Sequence, residues 1–495
     1  MTTTATLAHA SVAIIGGGIA GLAAGCYARM NGLAARIYEC ELAAGGLCTS
    51  WRRGEYGFDG CIQWLVGSGP GHAAHQLWRE LGALTGRRFH DPDEHIRIQD
   101  RSGATLIVYT NADRLEEHLR GLAPEDTRPI GALCHAIRSC ARSSDDTFLT
   151  AIPNPSASSA GVEQLRVVRT YSDLSVEALA SEFQNPFLRR VLPRIFDLPE
   201  LSSIALVSSL GSMHARSAGF PLGGSLELAK SIEARFIALG GDLRYGARVS
   251  RVLVERRRAV GVELSDGTRE RADWVVSAAD GHSTLFKLIG APFTPEPYRA
   301  RFEARPIFPS AVQVSIGANL DLSSTPASLR YELDEPIDIL GDRHDWLSIR
   351  HYAFDPSMAP PGKSSVAVSF HARLEPWIGC ADYDSARKTV GNAVVSALDR
   401  RFPGFASHVE QLDVVTPRTF VRRTGNWRGS TEGWLLTPRN VGERMSQTLP
   451  GLDGFFMAGH WVEPGGGVPA AAASGRKAIE RLCLADRREF LTSEA

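Results

Sequence analysis

Residues 11–40, SVAIIGGGIAGLAAGCYARMNGLAARIYEC, restrict the fold more than any other part of this 495-residue chain. Val12–Ile15 is a short, apolar, β-rich run; Leu22–Met30 is helix-forming, and Asn31-Gly32 supplies its stop. Arg36–Tyr38 follows as a second strand, closed by Glu39. Between strand and helix, Gly16, Gly18 and Gly21 stand at G-x-G-x-x-G spacing. Gly16 permits a tight turn, Gly18 lets backbone approach a pyrophosphate, and Gly21 lets helix and strand pack closely. The helix N-terminus then faces the phosphates. Glu39, 21 residues after Gly18, is placed to accept both hydroxyls of a ribose and to repel a 2′-phosphate, which disfavours NADP. The expectation is a βαβ dinucleotide-binding unit. A glycine-rich βαβ turn without a ligand is the plain alternative.

The length argues for two domains rather than one core. Lys plus Arg number 54 and Asp plus Glu 55, so no long-range field attracts nucleic acid or an anionic membrane. The eight cysteines form no C-x-x-C pair, and none stands at metal-ligand spacing from a histidine. Free thiols in a reducing cytoplasm are expected, with no metal. The leader MTTTATLAHA lacks a basic region and an apolar run, so a short tail is expected rather than a signal peptide. The apolar run Val12–Ala28 is interrupted by five glycines and is too short to span a membrane. The expected location is the cytoplasm, or at most a membrane surface with peripheral contact. Oligomeric state is left open.

After Glu39 the chain runs CELAAGGLCTSWRRGEYGFDGCIQWL, residues 40–65. A plain NAD domain would continue into a third βαβ strand. Here Gly45-Gly46 follow the acid after five residues, and a short hairpin and an aromatic strand come next. Such an inserted loop can lie over the second, bulkier half of a ligand. The run resembles the start of the FAD-dependent phytoene desaturase superfamily. That group includes bacterial carotenoid desaturases, carotenoid cis–trans isomerases and retinol saturases, with monoamine oxidases as more distant relatives. Many members carry a basic residue just after the double glycine, where this chain has Leu47.

The resemblance implies FAD as cofactor, with Gly16, Gly18, Ala20, Gly21, Glu39, Cys40, Gly45, Gly46 and Leu47 among its contacts. It implies that Phe220–Asp280, which holds no second G-x-G-x-x-G, returns to complete the FAD domain, with Val249 packed on the adenine. A plain β-meander is the alternative for that segment. It also implies that the turn FFMAGHWVEPGGGVP, residues 455–469, cradles the isoalloxazine through Gly459, His460, Gly467, Val468 and Pro469, ahead of a helix over Ala470–Leu482. Some distant relatives carry an acid where His460 stands.

The expected fold is α/β. A glutathione-reductase-type, discontinuous, Rossmann-like FAD-binding domain (1–90, 220–300 and 415–495) is interleaved with an α+β substrate domain containing a mixed sheet (91–219 and 301–414). The Ser-, Pro- and Ala-rich stretch 143–161 is expected to be a mobile loop. The apolar stretch Phe187–Ala215 either builds core or lines a substrate tunnel that touches a membrane.

There is no nucleophile elbow, H-E-x-x-H or P-loop, which suits a reaction whose reacting atom belongs to the cofactor. Catalytic candidates are His460, Glu463, Gln63 and Trp64; Trp461 and Trp64 equally serve as packing walls, and His460 as a supporting hydrogen bonder. Arg350, His351 and Tyr352 either bind a substrate carbonyl or acid, or form a solvated strand end. The resemblance implies an FAD-dependent oxidoreductase that desaturates, saturates or isomerises a hydrophobic, conjugated small molecule. A flavin-dependent cyclase or reductase tailoring a polyene polyketide, an amine oxidase, and a non-catalytic flavoprotein binding lipid or a partner are the alternatives.

Overall fold

The computed structural model describes residues 10–142, 159–463 and 465–495. The expected loop at 143–161 lies outside them, except for 159–161 at the start of the helix Ser159–Ser172.

A five-stranded parallel sheet gathers distant pieces of chain. Its order is Asp242–Arg244, Ala34–Tyr38, Ser11–Ile15, Trp274–Ser277 and Phe455–Met457. Ser11–Ile15 lies at the centre, and its run of Val12, Ala13, Ile14 and Ile15 is buried, as a parallel strand covered on both faces requires. The helix Ile19–Met30 packs beside it and begins three residues earlier than its propensity indicates. Tertiary burial, which reaches ten of its twelve residues, overrides the two glycines inside it. Its neighbours are the helix Ser225–Ala238, with a buried stripe of Leu228, Ala229, Ile232 and Phe236, and the C-terminal helix Gly467–Ala485.

At these crossings only glycine fits. A Cβ at Gly475 would lie 2.4 Å from the Ala20 carbonyl oxygen, and one at Gly25 would lie 2.8 Å from the Phe236 ring. Gly475→Ala is therefore expected to destabilise the protein by roughly 1–3 kcal/mol through overpacking. Thermal unfolding checks this, and an unchanged midpoint would contradict the packing.

Val249–Glu255, Arg258–Leu264 and Arg269–Arg271 form a three-stranded antiparallel sheet, after which Trp274–Ser277 enters the parallel sheet. The meander and the return to the dinucleotide-binding sheet thus coexist. Glu94–Gln99 pairs antiparallel with Thr105–Tyr109 as a hairpin that turns through Asp100–Gly103.

That hairpin edges a seven-stranded mixed sheet, in the order Val409–Val415, Ser310–Ala318, Ser364–Ala372, Asp342–His351, Ser328–Ile339, Glu94–Gln99, Thr105–Tyr109. Only the pairing of Ser328–Ile339 with Glu94–Gln99 is parallel. Side chains alternate across it with period two. Val312, Val314, Ile316, Leu347, Ile349 and Val368 join Val390, Val394 and Leu398 of the helix Tyr383–Arg401 in one apolar cluster. The intervening Gln313, Arg330, Ser348, Arg350 and Ser369 line an internal cavity.

The stretch Phe187–Ala215 does two jobs. Leu188, Val191, Val207 and Leu210 are core, while Phe196, Leu198, Leu201 and Ala205 line the cavity. No helix among the described residues is long and apolar enough to cross a membrane.

Candidate active site

The cavity has a volume of about 1770 Å³ and is lined from both the parallel and the mixed sheet. Ordinary small-molecule sites occupy roughly 300–1,000 Å³, so this one has room for a large cofactor and a second ligand.

The glycine-rich loop forms one part of its wall. Gly16 has φ +96°, and a Cβ at Gly21 would fall 1.9 Å from the Gly16 carbonyl oxygen. The chain's own geometry therefore demands both glycines. Gly18 differs: its backbone is ordinary (φ −70°, ψ 177°), and a Cβ there would meet protein atoms only at 4.0 Å. What the missing side chain leaves open is the cavity, which Gly18 lines. Beside it, Gly45 N–H donates to the Gly17 carbonyl at 2.8 Å, and Gly45 and Gly46 adopt φ +115° and +60°. Among the described residues no side chain caps the helix Ile19–Met30, so its first N–H groups can bind an anion.

Glu39 is buried at the edge of this loop. Its Oε2 accepts from Gly17 N–H at 2.7 Å and its Oε1 from Glu41 N–H at 2.8 Å. Each carboxylate oxygen has a second lone pair, and the residue lines the cavity. Ala20, Cys40, Leu47 and Val249 line it too, whereas Gly21 lies beneath the loop, against Gly16.

The C-terminal turn forms another part of the wall, with Gly459, His460, Gly467, Val468 and Pro469 all exposed to the cavity. Gly459 N–H donates to Ser474 Oγ at 2.7 Å, which ties the turn to the C-terminal helix. Gly465, Gly466 and Gly467 have φ of +103°, +67° and +77°, the left-handed region that favours glycine. The helix starts at Gly467, three residues before the expected Ala470, with Pro469 in its first turn and no side-chain cap. Two uncapped helix N-termini, the space at Gly18 and an open face at Gly459, where a Cβ would meet nothing within 4 Å, fit a flavin dinucleotide.

The expected catalytic residues divide. Gln63, Trp64 and His460 line the cavity. Trp64 stacks on Phe196, with centroids 5.4 Å apart, and His95 meets it edge-on at 5.2 Å, forming an aromatic wall. Burial pushes the His460 imidazole down to about 4, so it is neutral near pH 7. Trp461 is buried against Trp434 and Phe302 and is a packing wall. Glu463 is not brought to the cavity: it is buried beside Arg444, at 3.1 Å, and Lys477, at 3.2 Å, which hold it as a structural carboxylate.

Beside the C-terminal turn the carboxyl that lines the cavity is Glu432, which sequence reasoning missed. A Cβ at Gly466 would fall 2.1 Å from its Oε2, so the glycine bend leaves the space this carboxyl fills. Burial pushes Glu432 up to about 7. Its neighbourhood, STEGW, carries no motif; only the folded chain brings it to the bend. Strand alternation likewise sends Arg350 and Tyr352 to the cavity, while His351 turns away to the hydroxyl and carbonyl of Thr325, both at 3.2 Å.

The model of the family described as flavin containing amine oxidoreductase matches residues 19–483. The chloroplastic prolycopene isomerase of Arabidopsis thaliana is 26% identical over 288 residues, 54% of this chain and 46% of that protein, so the chain spans about half the length of that relative. The lycopene-forming phytoene desaturase of a Paracoccus species is 24% identical over 525 residues, covering 96% of this chain and 97% of that one. Cyclohexylamine oxidase from Brevibacterium oxydans shares the fold, with a TM-score of 0.62 at 15% identity over 97% of this chain and 100% of that one.

Proposed function

This chain belongs to the flavin-containing amine oxidoreductase family, and on that premise we propose that it is an FAD-dependent oxidoreductase acting on a long, conjugated, hydrophobic substrate. The observation that carries the reading is the cavity itself: one wall is a dinucleotide loop, another is the apolar and aromatic group Trp64, Phe196, Leu198 and Leu201. Relatives named for phytoene desaturation and prolycopene isomerisation support a polyene as substrate.

In this reading Gly18, Gly45, Gly46 and the first turn of the helix Ile19–Met30 hold the diphosphate, Glu39 the ribose and Val249 the adenine. Gly459, Val468, Pro469 and the first turn of the C-terminal helix face the flavin ring. Bound flavin supplies two-electron redox chemistry at a substrate C–H or C=C bond. The aromatic wall aligns the chain and excludes water, and Glu432 exchanges the proton that accompanies the redox step. The two sheets support a division into a cofactor domain, 1–90, 220–300 and 415–495, and a substrate domain, 91–219 and 301–414.

Purified protein is expected to carry FAD, seen as visible absorbance, and to oxidise, reduce or isomerise a polyene under anaerobic conditions, seen as a change in product mass or retention. A folded protein that never takes up FAD, or a flavin whose redox state no polyene changes and no polyene product accompanies, would overturn the reading.

A further inference from the structure

The cavity face of the mixed sheet carries two arginines that form no direct ion pair among the described residues. Ser328 and Arg350 are register partners, as are Arg330 and Ser348, so the two arginines are diagonal neighbours on one face. Both line the cavity. Arg350 donates to the Gln63 carbonyl at 3.0 Å and to Gln63 Oε1 at 3.1 Å. A guanidinium has five N–H donors, so donors remain for a ligand. Arg330 donates to the Arg194 carbonyl and, at 3.2 Å, to Ser348 Oγ, and its Nε has no partner among the described residues.

Neither arginine forms an ion pair among the described residues. The carboxylate in the field of Arg350 is Asp59, whose oxygens are taken by Ser225 and Cys61. The carboxylate in the field of Arg330 is Asp197, which pairs with Arg194 at 2.7 Å. The imidazole of His95, on the same wall, is pushed down to about 3 by burial and by both arginines, and brings no negative charge. Like charges side by side on a sheet repel, and an uncompensated buried charge is strongly destabilising. A purely hydrocarbon ligand would leave both penalties in place. A planar oxyanion would remove them, because the guanidinium fork matches two oxygens in one plane.

We propose that the sheet face around Arg350 and Arg330 is an oxyanion-recognition site, and that the substrate is an apolar conjugated chain bearing a carboxylate or an enolate. This rests on the oxidoreductase reading for the conjugated chain; the oxyanion contact stands on the sheet geometry alone.

The test is binding of all-trans-retinoic acid and its methyl ester to the flavin-loaded protein, followed by quenching of tryptophan fluorescence. Hydrogen bonds to charged groups imply a preference for the acid of roughly 10- to 100-fold. Arg350→Met is expected to abolish that preference while leaving ester binding and flavin content unchanged, and Arg350→Lys to retain part of it. Ligand-free Arg350→Met is expected to melt no lower than the wild type, since it removes an unbalanced charge. Equal affinity for acid and ester in the wild type, failure of both to bind, or a preference that survives Arg350→Met would each overturn the proposal. Flavin content and polyene turnover, measured in parallel, distinguish its failure from that of the oxidoreductase reading: a flavin-free protein that still prefers the acid overturns only the latter.

Discussion

Gly18→Val is expected to yield a folded protein without flavin. The three motif glycines of the first loop, Gly16, Gly18 and Gly21, look equivalent in the sequence and are not equivalent in space. At Gly16 the backbone needs φ +96°, and at Gly21 a Cβ would sit 1.9 Å from a carbonyl oxygen, so replacing either damages the fold whether or not a ligand binds. Gly18 has φ −70° and no described protein atom nearer than 4.0 Å to an added Cβ, so the chain leaves room for a side chain to start here, in the space where we propose the diphosphate binds. The expected loss is more than 100-fold in FAD affinity. A ligand present at about 100 times its Kd adds roughly 2.7 kcal/mol of stability. Gly18→Val should therefore melt where flavin-stripped wild type melts, and not lower, with unchanged circular dichroism. The ratio of visible to ultraviolet absorbance after purification reads the flavin directly. Normal flavin content in this variant would remove the diphosphate from this loop.

The contrast shows what a sequence pattern can carry. The residues around Gly18 and Glu39 lie within one continuous stretch, and local geometry makes their spacing meaningful, so this half of the site is legible in the sequence. The C-terminal turn is legible for the same reason, through its glycines and Pro469. The choice of carboxylate is not. Glu432 and Glu463 both lie near glycines in the last quarter of the chain. Arg444 and Lys477 claim Glu463, while Glu432 fills the space beside Gly466, and both facts depend on contacts between segments that no spacing encodes. The mixed sheet alternates as its sequence indicates, but alternation does not say whether the polar face meets solvent or a cavity. Here it meets a cavity, which places Arg350 inside and His351 away from it. The stretch Phe187–Ala215 is ambiguous as a sequence because core and tunnel wall demand the same apolar residues.

Glu432→Gln is expected to erase a limb of the pH–rate profile near pH 7. Burial raises this carboxyl from 4.5 to about 7, so it is neutral below that pH and ionised above it. A carboxylic acid that donates the proton gives a rate that falls as pH rises through 7; a carboxylate that accepts it gives a rate that rises. The direction of the limb thus reports whether the chain adds hydrogen to its substrate or removes it. His460 is held near 4, and the thiol of Cys61, which feels the charge on Glu432, is pushed well up by its hydrogen bond with the free Cys48 thiol and by burial. Asp280 is pushed up to about 6, with its oxygens held by the N–H groups of Ser283 and Trp427, and a limb it caused would survive the substitution. General acid–base assistance contributes typically 10²–10⁴-fold, so kcat is expected to fall by about that factor at the optimum while flavin content stays normal. A second readout separates chemistry from structure. Because the folded-state value is raised, the native protein holds a proton that the unfolded chain releases between 4.5 and about 7, and stability falls as pH rises through that window. Glutamine cannot ionise, so Glu432→Gln should lose this dependence and melt higher than the wild type above pH 7. A variant that melts higher yet keeps the wild-type pH–rate profile would leave Glu432 as a partly buried carboxyl with no part in proton transfer.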